Sequence, residues 1–140
     1  MVEIVAKFHG MIAGDTGETL ETDKNHVGTG SVLYDAIFIP GGRKSVDTMM
    51  QQGDVIHFVN ETFKHCKPVA AFGEAVELLK SSSMVGVNFA AETDSQSMAH
   101  MGVVTARKHD HLKHFLDKFK AAIAAHRHWE REANKDKVPA

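Results

Sequence analysis

The run Ala36-Ile37-Phe38-Ile39, stopped by Pro40-Gly41-Gly42, constrains the fold more than any other segment. It has no polar alternation, so both of its faces must be covered. That is the signature of a strand inside a parallel sheet with helices on both sides. A second short run, Val69-Ala70-Ala71-Phe72, is followed directly by Gly73. Between the two, Ile56, Val59 and Phe63 recur at helical spacing, with Asp54 placed to cap the helix. That helix is expected to end near His65-Cys66-Lys67-Pro68. Strands that alternate with helices across short Gly/Pro turns predict an α/β fold with a mostly parallel sheet.

The flanking segments fill in the pattern. Val2–Phe8 alternates apolar and polar residues and reads as a strand. Met11–Ala13 and Thr19–Glu21 flank Gly14-Asp15-Thr16-Gly17 and suggest a hairpin. Val76 and Leu79 share a helical face after Gly73. Val85–Phe89 and Gly102–Thr105 are strand candidates, separated by the polar stretch Glu92–Ala99. Leu112, Phe115, Leu116, Phe119 and Ile123 form one apolar stripe of a last helix, with Asp110 as its expected cap. The polar tail Asn134–Ala140 is expected to be extended. The 140 residues fit a single domain, 1–140, without repeat or linker.

Composition excludes some functions. A formal charge of −2 gives no general attraction to nucleic acid or anionic membrane. No apolar run approaches the roughly 20 residues of a membrane helix. Met1-Val2-Glu3-Ile4 lacks the basic flank of a signal peptide, and the single cysteine suits a reducing compartment. The expected location is the cytoplasm.

Two segments carry a family resemblance. Tyr34-Asp35-Ala36-Ile37-Phe38-Ile39-Pro40-Gly41-Gly42 resembles the strand and glycine turn of the PfpI-type branch of the class I glutamine amidotransferase-like superfamily. Lys67–Leu79 resembles that branch's nucleophile segment, register for register. A narrower resemblance runs through Ser31–Ala36, His57–Pro68, Ala124–Trp129 and Lys135–Ala140, to the C-terminal domain of large-subunit haem catalases. It implies a flavodoxin-like three-layer sandwich, here lacking the usual first strand and helix. In such sheets the first strand is central. Its loss implies a re-paired sheet, or a strand borrowed in a homo-oligomer or from parent catalase subunits.

The resemblance also fixes where chemistry would sit. Active members of the superfamily carry a cysteine at the sharp strand-to-helix turn, where a helix N-terminus lowers its pKa. Here the turn reads Phe72-Gly73-Glu74, with glycine in the nucleophile position. No catalytic residue is therefore expected. Cys66 lies seven residues earlier, on the order of 20 Å along a strand, and reads as a small buried apolar residue. Glu74 reads as a carboxylate stabilised at a helix start, or as part of a vestigial pocket with Gly41 and Gly42. The Gly28-Thr29-Gly30-Ser31 stretch lacks the context of a phosphate loop. Five of the ten histidines lie between His109 and His128, and His111 and His114 share a helical face. Without CxxC or HExxH spacing they predict no metal site. His126, His128 and Trp129 are expected to pack at the end of the last helix or against a neighbouring subunit.

The function expected from the resemblance is a non-catalytic accessory domain. Peroxide dismutation would belong to a haem barrel elsewhere in the parent catalase, and no cofactor is expected in this chain. Its own roles would be subunit stabilisation or chaperone-like holding of unfolded proteins. The alternatives are a small-molecule sensor using the old pocket and, less favoured, a PfpI-type hydrolase or glyoxalase.

Overall fold

The structure is a computed structural model that describes every residue from Met1 to Ala140. Its centre is a four-stranded sheet in the order β5 (Ile37–Ile39), β6 (Val69–Phe72), β8 (Val103–Ala106), β7 (Met98–His100). The first three strands are parallel and β7 is antiparallel to β8. Helices α1 (Arg43–Met50), α2 (Gly53–Lys64) and α3 (Ala75–Ser81) share one core. Ile39, Val69, Ala71 and Val103 of the sheet pack there with Val46, Val59, Phe63, Val76 and Leu79. On the other face, α4 (Leu112–Ala124) sets Phe115 and Ala122 against Ala70, Val104 and Ala106. The mostly parallel α/β sheet is the one the alternating elements predict, and the three layers are those the family resemblance implies. The two-sided burial expected of Ala36–Ile39 is not found, because β5 lies at the sheet edge and Phe38 is half exposed.

The N-terminal segment does not enter that sheet. Of Val2–Phe8 only Val5–Ala6 (β1) is a strand, and it pairs in parallel with Lys24–Asn25 (β4). The expected hairpin forms between Gly10–Ala13 (β2) and Thr19–Thr22 (β3). Strand β5 is therefore left at an edge of the main sheet. No other strand of the chain pairs with the free side of β5.

Several expectations are corrected. Val85–Phe89 is not a strand. Its neighbourhood bonds to side chains instead of a ladder: the amides of Ser83, Asn88 and Ala90 donate to Asn60 Oδ1, His100 Nδ1 and Thr105 Oγ1. The place beside β8 is taken by Met98–His100, out of the stretch read as polar spacer. Met101 and Gly102, both at positive φ, close that hairpin in the manner of a type I′ turn. Helix α1 was not visible in the periodicity, because Val46 is its only buried side chain.

The caps and the tail differ too. Asp54 stands inside the first turn of α2, whose N-cap is Gln52, and Asp110 lies in a 3₁₀ turn (His109–His111) before α4. Both sit where a carboxylate meets the positive helix end without a capping bond. The α4 stripe is rotated: Phe115 is fully buried, whereas Leu116 and Ile123 stay more than 40% exposed. Trp129–Lys137 is a 3₁₀ helix, not an extended tail. It is strapped down by buried Arg131 and Val138, and Asn60 Nδ2 donates to Pro139 O at 3.2 Å.

Candidate functional site

The turn after β6 is where a nucleophile would stand. β6 leads into Gly73 at φ 63°, and Glu74 precedes α3 in helical conformation. The Gly73 amide donates to Ala106 O at 2.8 Å, which ties the turn to the end of β8. Glycine occupies this left-handed conformation at little steric cost. Opposite it, β5 ends at Pro40-Gly41-Gly42, and Gly42 at φ 112° starts α1. A side chain on Gly41 would stand 3.0 Å from Phe72 O and from Glu74 Oε2, so glycine lets the two turns approach.

Glu74 joins the turns. Its Oε2 accepts the Gly42 N–H at 3.0 Å. That bond, then its own amide and the nearby Arg43 and Arg107, hold the carboxyl below the usual carboxylate range. The structure thus brings Gly41, Gly42, Phe72, Gly73 and Glu74 together. A ligand there would have to displace the Glu74–Gly42 bond.

Arg107, which sequence reading missed, closes the back of the turn. Its side chain is 3% exposed and pairs with Glu77 at 2.5 Å and Glu92 at 3.1 Å. Its Nε donates to Ala90 O and its Nη1 to Gly73 O. The Glu77 carboxyl is lowered chiefly by this bond. No periodicity marks a lone arginine just past a strand as buried. His109 sets its ring edge on Phe72, at 5.9 Å between centroids. The arrangement holds a carboxylate, an imidazole and backbone amides, with glycine and neither thiol nor hydroxyl at the apex of the turn.

A family described as the C-terminal domain found in long catalases matches residues 2–133. The chain belongs to this family. Catalase HPII of Mycobacterium avium is 37% identical over 143 residues, spanning the whole of this chain and 20% of that protein. Catalase-1 of Neurospora crassa is 33% identical, over 92% of this chain and 19% of its own length. The chain spans about a fifth of the length of these catalases. Among solved structures, a two-domain protein of Anabaena variabilis with DJ-1/ThiJ/PfpI-like and ferritin-like domains superimposes with TM-score 0.75. It is 19% identical, over 87% of this chain and 40% of that one. Schizosaccharomyces pombe DJ-1 gives TM-score 0.68 at 13% identity, over 88% of this chain and 82% of its own. These two likenesses concern the fold.

In this catalase C-terminal domain the other candidate residues lie apart from the turn. Cys66 is buried at the opposite end of β6, in a positive-φ position, and burial pushes its thiol pKa up. Ser31 N–H and Oγ–H both donate to Glu61 Oε2, at 2.9 and 2.6 Å, so the glycine-rich loop is anchored by a carboxylate. His111 and His114 lie along the start of α4, His114 facing solvent. No three His, Cys, Asp or Glu side chains converge as metal ligands. His128 packs over Gly102, with Nε2 3.2 Å from Ala122 O, while His126 and Trp129 are exposed. No helix is long and apolar enough to cross a membrane.

Proposed function

We propose that this chain is a non-catalytic accessory domain of a large catalase, acting in subunit stabilisation and assembly and in chaperone-like holding of unfolded protein. The observation that carries this reading is the turn at Phe72–Glu74. It keeps the geometry of a nucleophile elbow, holds glycine at its apex, and binds its one carboxylate to Gly42. Acyl transfer has no attacking atom there.

The residues also do not fit haem. The sole tyrosine, Tyr34, donates its hydroxyl to Glu3 at 2.7 Å. Two clefts, of about 400 and 360 Å³, are lined mostly by polar residues; His65 and Cys66 stand in the first among four lysines and arginines. A haem slot needs apolar walls, which a lining of this kind does not supply. Peroxide dismutation in such a catalase would thus lie outside these residues. One free cysteine suits the reducing cytoplasm, where we place the protein.

An assembly role is supported by what the fold leaves uncovered. Phe38 of edge strand β5, Leu116 and Ile123 of α4, and Leu33 are 42–76% exposed. The test uses the purified chain supplied with haem and peroxide. The expected result is no Soret band and no turnover, together with self-association or suppression of a client's heat aggregation. Turnover refutes the non-catalytic reading. Loss of both other effects refutes the assembly and holding roles.

A further inference from the structure

The cleft of about 400 Å³ at the far end of β6 from the nucleophile turn takes no part in the accessory role proposed for the chain. It is lined by Cys66, Lys67 and Trp129, the last 66% exposed and the only tryptophan. Lys64, Arg127 and Lys135 line it too, with Glu132 as the one acidic side chain; Lys64 Nζ donates to Ala140 O at 3.0 Å. Glu132 is already held by Lys135 at 2.5 Å. The chain as a whole carries −2, yet this cleft is strongly positive.

One lining residue, Lys67, and its hydrogen-bonded neighbour Arg131 are buried cations without a carboxylate partner. Lys67 is 3% exposed, and its ammonium donates to Ser31 O at 3.2 Å and Val32 O at 2.6 Å. An ammonium has three donors, so one is left. Asp35 and Glu61 act on Lys67 only through longer-range attraction, and Glu61 is bound to Ser31. Arg131 is 1% exposed; it stacks on Phe63 and donates from Nη2 to Lys67 O at 2.6 Å. Its Nε and Nη1 have no partner. Arg127 likewise forms no ion pair and reaches only His126. Buried charges are ordinarily paired, because an uncompensated one is costly to desolvate. Burial lowers Lys67 and pushes Arg131 down to about 10, as expected of cations that lack a counter-charge.

We infer that this cleft binds a small phosphate-bearing anion with a flat ring, of mononucleotide size, its phosphate facing Arg127 and Lys67 and its ring on Trp129. The volume lies in the range of small-molecule pockets. An exposed indole face beside cations suits stacking of a base. The inference does not depend on the accessory-domain reading.

Trp129 makes the test direct, because its emission reports on this cleft alone. Adenosine monophosphate, inorganic phosphate and an oligoglutamate peptide are titrated against the chain in turn. The expected result is saturable quenching by the mononucleotide with a Kd below about 1 mM, weakened by salt. Arg127→Gln, on the surface, should weaken it about tenfold and leave the melting temperature unchanged. Phosphate should bind more weakly and quench little. Quenching that does not saturate, or an affinity untouched by Arg127→Gln, overturns the site. Equal affinity for phosphate and mononucleotide overturns the stacked ring. Binding of the peptide alone would make the cleft a protein-docking site and also overturn the inference.

Discussion

Replacing Gly73 by alanine tests the reading of the nucleophile turn without adding any chemistry. A Cβ at this position meets nothing closer than Gly41 Cα at 3.8 Å, an ordinary contact. Sterics therefore contribute little, and the effect comes from the backbone. A non-glycine residue at φ 63° costs about 1–2 kcal/mol. The smaller entropy of the unfolded chain offsets about 0.4–1 kcal/mol of that. A net loss of about 1 kcal/mol follows. With an unfolding entropy of about 2.1 cal/mol/K per residue, the melting temperature should fall by about 3 °C. Gly73→Asn should cost less, since asparagine tolerates the left-handed region. Gly41→Ala should cost more than either, because its Cβ presses on the Phe72 carbonyl at 3.0 Å. Thermal unfolding followed by circular dichroism ranks the three variants. An alanine at 73 that is neutral or stabilising, or an asparagine as costly as alanine, would refute the strained-turn geometry.

Other perturbations probe the packing and the pH response. Phe115→Ala empties the fully buried centre of the α4 face, where Phe38, Phe72 and Phe119 meet, and should cost about 3–5 kcal/mol in urea unfolding. Thr105→Val removes the acceptor for the buried Ala90 amide and should cost about 1–3 kcal/mol, with faster hydrogen exchange at Ala90. Tyr34 is raised to about 12 by burial, then by its bond to Glu3. Its folded value lies above the unfolded one, so the stability it contributes is complete below about pH 10 and is lost as pH rises toward 12. Ultraviolet titration of this sole tyrosine should show the raised value, and Glu3→Gln should lower it.

The sequence makes the middle of the fold legible because burial there is two-sided. Val69–Phe72, as a strand, and Val59 and Phe63, on a core helix, show this; Ala36–Ile39 also reads as a parallel strand covered on both faces, yet it pairs only with β6 and leaves Phe38 half exposed. The edges are less legible. Val85–Phe89 has strand composition, yet Thr105 and His100 side chains satisfy its surroundings locally, and β-propensity gives way to that context. Helix α1 buries one side chain and leaves no period to find. At the site, the missing nucleophile is visible in the residues themselves. The Glu74–Gly42 bond and the burial of Arg107 join positions 30 or more apart, which spacing does not reveal. The cationic cleft was hidden for the same reason: Lys67, Arg127 and Arg131 meet only after the tail folds back on β6.

The open edge of β5 gives the assembly proposal its sharpest consequence. In a parallel ladder alternate residues bond to the same side, and Ile37 N–H donates to Pro68 O toward β6. Phe38 therefore turns its N–H and C=O away from the sheet, while its ring, half exposed, lies against Phe115 and Phe119. Leu116 and Ile123 extend the apolar surface along α4. An unpaired edge beside exposed apolar side chains invites another strand. The isolated chain should gain mass with concentration in light scattering and bind a hydrophobic dye. Leu116→Lys with Ile123→Lys should hold it monomeric at all concentrations. Its stability should change by no more than about 0.5 kcal/mol per site, since neither side chain is in the core. A chain that stays monomeric without these substitutions, and binds no dye, would mean that the edge needs no partner. The case for assembly would then fail at its structural root.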